Sequence, residues 1–265
     1  MSDFGSSRQF RGIHICEGVS LRISEISFTF DGAGNLLEQS GGDPSTLPEI
    51  WFYWLQIAME HLAESNKAHE EAVKAFDGDK TDDGSKWLIR ELTSGMQCIS
   101  AAAIAIDSLD SLTRGHIKIP KELRETWRKN RLSQAKQIFE VLRRAFLIEK
   151  KNLRTLRGGL IQLFKWRGWS VHPPADFSAP VLYDELNIGV DWRFVAFRAE
   201  NAGRSLNFAL TCIVGLLQKP KPKYATLVEH CDRIWPLLER LVRDWESRHG
   251  DLNILLPRAT INDQV

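Results

Sequence analysis

Ser85-Lys-Trp-Leu-Ile-Arg-Glu-Leu-Thr-Ser-Gly-Met-Gln-Cys-Ile-Ser-Ala-Ala-Ala-Ile-Ala-Ile-Asp-Ser-Leu-Asp-Ser-Leu112 decides the fold class. Its apolar residues Leu88, Leu92, Met96, Ile99, Ala103, Ile106 and Leu109 recur at three- and four-residue steps, the period of one helix face. Ser85 is placed to cap the N-terminus, so a helix is predicted from Ser85 to about Leu112. Ala101, Ala102, Ala103 and Ala105 keep side chains short enough for a second helix to approach closely. A chain whose longest apolar stretch reads this way is built by helix packing.

The same period extends in both directions. Upstream, Trp51, Trp54, Leu55, Ala58, Leu62 and Ala72 predict a helix to about Phe76, with Pro48-Glu49 as its start. Downstream, Pro120 opens a third helix in which Leu132, Ala135, Phe139, Leu142 and Phe146 form one stripe. A fourth runs from about Asn152 to Trp166 through Leu153, Leu156, Leu160, Leu163 and Phe164. Within it, Gly158-Gly159 either weakens the helix or admits a close neighbour. A long loop to about Asp191 follows, and then a helix from Trp192 to Leu217. Lys219-Pro-Lys-Pro-Lys223 breaks the chain before a last helix carrying Leu227, Cys231, Ile234, Leu238, Leu241, Val242 and Trp245. Before Pro48 the period is two instead. Val19, Leu21 and Ile23, then Ile26, Phe28 and Phe30, read as strand, with a bulge or tight turn at Ser24-Glu25. Asp31-Gly-Ala-Gly-Asn35 reads as a turn, Leu36-Leu37 as the start of a return strand, and the stretch to Pro48 as a linker. The expected class is mainly α with a small N-terminal β element. The expected division is a β element and linker over 1–47, a helical bundle over 48–250 and a loose tail over 251–265.

At 265 residues, 43% hydrophobic and 26% charged, the composition excludes a mainly disordered or low-complexity chain. The apolar run from Cys98 to Ile106 is too short to span a bilayer. Met1-Ser-Asp-Phe-Gly-Ser-Ser7 lacks the design of a secretion signal. Four cysteines, 16, 98, 212 and 231, are scattered without a Cys-x-x-Cys pair. That is the usage of buried thiols in a reduced compartment, and a cytoplasmic, membrane-free location is expected. The net charge of +1 conceals a segregation. Residues 43–84 carry ten acids and three bases, a net of −7, and residues 121–168 carry fourteen bases and four acids, a net of +10. The basic part either meets an anionic partner or is neutralised by the acidic part, within the fold or between subunits.

Few residues carry recognisable chemistry. His61 and His69 are eight apart on an acidic helix, about 12 Å of rise, too far to share one ion, and read as a solvated face. His230-Cys231 reads as core edge. Asp107 and Asp110 form a pair one turn apart, with Asp107 expected to be buried against an arginine. No phosphate-binding glycine loop, nucleophile elbow or His-Glu-x-x-His zinc motif is present, so no metal or cofactor is expected. There remain Arg167 and His172. Pro173 biases His172 out of helical geometry and Gly168 loosens the turn after Arg167, so an irregular helix end would aim both at one point. Imidazole moves protons near neutral pH and guanidinium forks onto phosphate, which together suit phosphodiester cleavage.

Arg167-Gly-Trp-Ser-Val-His172-Pro173, behind a basic stretch on a helical background, resembles the motif of the HEPN superfamily. Members are small helical bundles with Arg, four to six residues, then His near the end of the core. Ala101-Ala102-Ala103-Ile104-Ala105-Ile106-Asp107 also looks like the first core helix of such a bundle, and the resemblance covers about residues 86–218. Gly168 departs from the polar residue that many family nucleases place after the Arg. The resemblance implies metal-independent RNA cleavage of the toxin or antiviral-defence kind, by a homodimer or larger homo-oligomer under an antitoxin or other regulatory protein. His172 would assist attack of the 2′-OH or protonate the leaving oxygen, and Arg167 would hold the phosphate. Lys150, Lys151, Arg154, Arg157 and Lys165 would bind the RNA, with Trp166 or Trp169 placed to stack on a base or to serve the core. The alternatives are a module of the same kind that binds RNA or nucleotide without cleaving, and an oligomeric helical scaffold.

Overall fold

A computed structural model of the chain describes residues 19–22, 26–30, 36–41, 45–78, 80–172, 179–250 and 252. It divides into two compact units, residues 1–50 and 51–265. The first holds four short strands: β1 (Val19–Arg22), β2 (Ile26–Phe30), β3 (Leu36–Gly41) and β4 (Ser45–Pro48). β2 and β3 pair antiparallel, Ile26 opposite Gly41, with a register irregularity between Thr29 and Phe30. β1 pairs with β4, Val19 opposite Pro48. The return strand expected from Leu36-Leu37 is β3, and the stretch expected to be linker supplies its remainder and β4. The expected bulge at Ser24-Glu25, the turn at 31–35 and the tail beyond 252 lie outside the described residues.

The second unit is a helical bundle: α1 (Ile50–Asp77), α2 (Thr81–His116), α3 (Lys121–Lys129), α4 (Gln134–Ala145), α5 (Lys150–Val171), α6 (Trp192–Ala196), α7 (Ala199–Leu217) and α8 (Ala225–His249). α2 is central and packs against α4, α5, α7 and α8. Between Cys98 and Leu109 it is buried on almost every side, which is why it is apolar all round rather than striped. By length and composition α2 could cross a membrane; here its apolar surface is covered by its neighbours. The small residues do what their size predicts. A Cβ on Gly95 would lie 1.9 Å from the Phe197 carbonyl oxygen. Nearby, the Cys98 thiol reaches the Ala202 carbonyl on α7 at 3.6 Å. Of the glycine pair on α5, Gly159 admits the Phe208 ring of α7, and Gly158 faces open space. Cys98, Cys212 and Cys231 are free and buried, and burial pushes the Cys212 and Cys231 thiols up to about 12. Cys16 lies outside the described residues.

Four helix boundaries differ from expectation. α2 starts at Thr81 rather than behind a Ser85 cap, because Asp82 and Asp83 complement the helix dipole and Gly84 fits beneath the Phe76 ring. The third expected helix is two, α3 and α4, broken at Asn130-Arg131. There Arg131 is left-handed at φ 47°, its N–H donates to the Arg128 carbonyl, and the Leu132 N–H donates to Trp127. This is the reciprocal pair of bonds that closes a helix with a left-handed residue. α5 continues a full turn past Trp166, since one glycine costs a helix only about 1 kcal/mol and Trp166 and Trp169 hold that turn on the core. α6 and α7 are separate at Phe197-Arg198. The loop expected up to Asp191 contains a hairpin, β5 (Val181–Tyr183) with β6 (Ile188–Val190), Val181 opposite Val190.

Candidate functional site

α5 has two contrasting faces because its sequence has two interleaved stripes. Leu156, Leu160, Leu163 and Trp166 are buried. On the opposite side Lys150, Arg154, Arg157, Ile161 and Lys165 follow one another by four, three, four and four residues, and all are exposed. Lys150 to Lys165 spans about 22 Å of helix. Lys151 lies off this row and pairs with Glu149 at 3.0 Å. The Lys165 ammonium sits 4.5 Å above the Trp169 ring. Lys150, Arg154, Arg157 and Lys165 have no acidic partner among the described residues. Nor, among the described residues, does any ion pair join an acid of 43–84 to a base of 121–168.

A second basic segment joins this face. An isolated bridge pairs Phe146 with Pro220, and the Leu147 N–H donates to the Lys219 carbonyl at 2.8 Å. Lys219-Pro-Lys-Pro-Lys223 is thereby laid against the α4–α5 junction. The Lys219 ammonium lies 3.7 Å from Glu149, and Lys221 donates to the Arg143 carbonyl at 2.8 Å. Partial burial and the neighbouring Lys223, Arg143 and Arg144 hold the Lys221 pKa below that of an ordinary lysine. In the sequence this segment reads only as a helix breaker, though its alternating lysines are a signal for a basic edge.

The expected loosened turn after Arg167 does not form. The helix is continuous to Val171, and the His172 N–H still donates to the Gly168 carbonyl at 2.8 Å. His172 itself caps the helix at φ −131° and ψ 67°, out of helical geometry as expected, so only the four steps from Arg167 to Val171 are helical. His172 is exposed, Arg167 is half-buried, and no hydrogen bond or ion pair joins them. Ser170 anchors the turn between them, donating to the Arg167 carbonyl at 2.8 Å and meeting the Ser100 hydroxyl of α2 at 2.8 Å. Trp166 is core. Trp169 is half-buried, edge-on to Trp192 with centroids 5.0 Å apart. Pro173 lies outside the described residues.

A polar cluster that the sequence reading passed over lies in the interior. Glu91 of α2 is 1% exposed. Its carboxylate accepts from the Tyr183 hydroxyl at 2.8 and 3.0 Å and from the Ala199 N–H at 2.8 Å. His69 Nδ1 lies 3.2 Å from it, and His69 Nε2 is 3.9 Å from Glu185. His69 therefore belongs to an ion-paired cluster rather than a solvated face. Its pKa is raised, first by the hydrogen bond to Glu91, against the lowering effects of burial and Arg198. The carboxylate serves α7 as an N-cap from another helix, since Arg198 at the cap position supplies no side-chain bond. Both residues lie in phase with buried stripes. Leu88, Glu91, Gly95 and Cys98 step by three, four and three, and so do Leu62, Ser65, His69 and Ala72. Phase was the signal; the polarity of the two side chains hid it.

The acidic pair on α2 also resolves differently from expectation. Asp110, not Asp107, is the buried member, bonded to Arg114 at 2.6 Å, and Asp107 accepts from Gln134 at 2.7 Å. Burial raises the Asp110 pKa more than Arg114 lowers it. His230 and Cys231 are both buried, with His230 against the His116 ring at 5.2 Å. Among the described residues no three His, Cys, Asp or Glu side chains are grouped to hold a metal ion. Comparison of the chain with family models, with curated proteins and with solved structures gives no match.

Proposed function

We propose that this chain is a HEPN-like helical bundle that binds RNA by gripping its sugar–phosphate backbone along α5. The observation that carries this reading is the row Lys150, Arg154, Arg157 and Lys165 on one exposed face, with Lys219, Lys221 and Lys223 beside its N-terminal end. Like charges aligned without counter-charges repel one another, and a polyanion relieves that repulsion while releasing its own counterions. The scaffold alternative drew on the acidic segment neutralising the basic one, and no ion pair within the described residues supports that. Titration of a labelled single-stranded RNA at several salt concentrations tests the reading. Affinity is expected to fall steeply with salt, and binding that is absent or independent of salt would refute it.

A second reading is metal-independent cleavage by Arg167 and His172, favoured by their position at the end of the same basic face. His172 would move the proton of the 2′-OH or of the leaving oxygen, and Arg167 would hold the phosphate. With no hydrogen bond joining the two in one copy, a cleaving set under this reading draws Arg167 from one copy and His172 from another. A homodimer or larger homo-oligomer belongs to this reading, as do a cytoplasmic toxin or antiviral-defence role and a regulatory antitoxin. Under it, His172→Ala abolishes cleavage and spares most RNA binding, Arg167→Ala lowers both, and chelation with EDTA changes neither. Equal cleavage by the wild type and His172→Ala would remove it.

A further inference from the structure

The corner between α3 and α4 encloses a groove of about 380 Å³. Leu123, Trp127, Leu132 and Phe139 line it with apolar surface, and the exposed cations Lys136 and Arg157 line it as well. Its shape is fixed by the helix end rather than by a mobile loop. The left-handed Arg131 closes α3 through the bonds to Arg128 and Trp127, which brings Leu132 back over the last turn of that helix. The Gln137 side chain holds the Leu132 carbonyl at 2.8 Å from the α4 side. The acid in the groove wall, Glu140, is engaged by Arg143 and Arg144 at 2.9 and 2.8 Å, so its charge is offset.

Arg157 belongs both to this groove and to the exposed row of α5. We propose that the groove receives one unstacked base of the RNA strand whose phosphates lie along α5, an assignment that rests on the RNA reading above. Three features commit it to that occupant. The apolar lining suits the face of a base, which a protein recognises by stacking and van der Waals contact. Lys136 and Arg157 carry the charge that the flanking phosphates require. The volume is at the low end for a ligand site, with room for one flat ring system and not for a helix or a lipid chain. Arg131 adds a third exposed cation at the corner. A non-glycine residue in this conformation costs roughly 1–2 kcal/mol, a cost understandable where the side chain serves binding.

The test compares two labelled oligonucleotides of equal length and charge, one a plain single-stranded RNA and the other with every base removed. The wild-type protein is expected to bind the base-containing strand about tenfold or more tightly than the abasic one, the scale of one stacked base. Thr126 lines the groove from an exposed position, so Thr126→Leu narrows it without touching the core or the charge and without adding a ring on which a base could stack. In that variant the two strands are expected to bind within about twofold of each other, with the salt dependence unchanged. Leu123→Ala, which strips one wall, is the second variant should Thr126→Leu fail to fold, and it too is expected to narrow the gap. Equal binding of the two strands to wild type, or a gap that survives both variants, overturns the base site and leaves the α5 reading standing. Binding of neither strand overturns the α5 reading, and the base site falls with it.

Discussion

The α5 face and the Glu91 cluster treat charge in opposite ways. Along α5 four cations are exposed with no acidic partner among the described residues, Lys165 lying over the Trp169 ring. Around Glu91 a single buried carboxylate is met by a hydroxyl, a backbone N–H and an imidazole, drawn from a hairpin, a helix N-terminus and a second helix. A charge removed from water must be compensated on every side to be tolerated, and each compensation ties another element to it. The difference teaches that one kind of polar residue is compensated within the molecule and the other is left to solvent, where the RNA reading proposed above supplies its partner. Exposure together with missing counter-charges tells the two apart.

Breaking the interior cluster should have the largest effect. Glu91→Ala leaves the Ala199 N–H buried without an acceptor and the Tyr183 hydroxyl with only His69 Nδ1, at 3.3 Å, and is expected to cost about 3–5 kcal/mol in urea unfolding. RNA affinity of the fraction that remains folded should be unchanged. The converse substitution, Lys150, Arg154 and Arg157 all to Ala, should leave unfolding within about 1 kcal/mol of wild type. It should also lower the slope of log affinity against log salt by about 2, the share of three phosphate contacts on a single strand. If the first variant loses RNA binding at full folding, or the second unfolds, the division between the two regions is wrong.

The cluster also predicts a pH dependence. His69 is held above its ordinary pKa by the hydrogen bond to Glu91, with further help from the charges of Glu91 and Glu185, against burial and Arg198. Folding raises its proton affinity, so its contribution is fully present below the ordinary value of 6.5 and is lost as pH rises through the raised value. Urea midpoints followed from about pH 5.5 to about pH 8 should therefore decline in wild type and decline less in His69→Gln. A steeper decline in the variant would show that another group carries the effect. The smallest expected change is at Arg131. Glycine there relieves the left-handed strain and should stabilise the protein by about 0.5–1 kcal/mol while weakening RNA binding. Stabilisation with undiminished binding would detach Arg131 from the basic surface.

The helical class was legible because the apolar steps from Trp51 to Trp245 hold a period of 3.6 over long stretches, and α1, α2, α5 and α8 fall where those steps run. The breaks were harder to see. The step of five from Trp127 to Leu132 breaks the three- and four-residue spacing, but α3 carries only Leu123 and Trp127 as apolar marks, too few for the break to register; the main-chain bonds show that Arg131 is left-handed. The hairpin at 181–190 has strands of three residues, too short for alternation to register. The basic face of α5 was visible as composition, and its alignment in one row follows once the helix is granted. Glu91 and His69 were missed because a charged residue on a helix is read as outward-facing, although their phase placed them inward. The motif at Arg167 and His172 was legible as sequence, but the turn between them depended on whether Gly168 bends the helix, and the packing of Trp166 and Trp169 decides that it does not.

The place of α2 among its partners also bears on how the chain is made. Its most extensive neighbour, α7, starts at Ala199, more than eighty residues after α2 ends at His116. At a synthesis rate of roughly 5–20 residues per second, α2 waits several seconds for the surface that covers it. During that interval the nascent chain displays the apolar middle of α2, Cys98 to Leu109, without its α7 cover, which invites association with other chains or with holding chaperones. A fragment ending before α7 is accordingly expected to be insoluble, and the full chain to depend on rapid emergence of its C-terminal quarter.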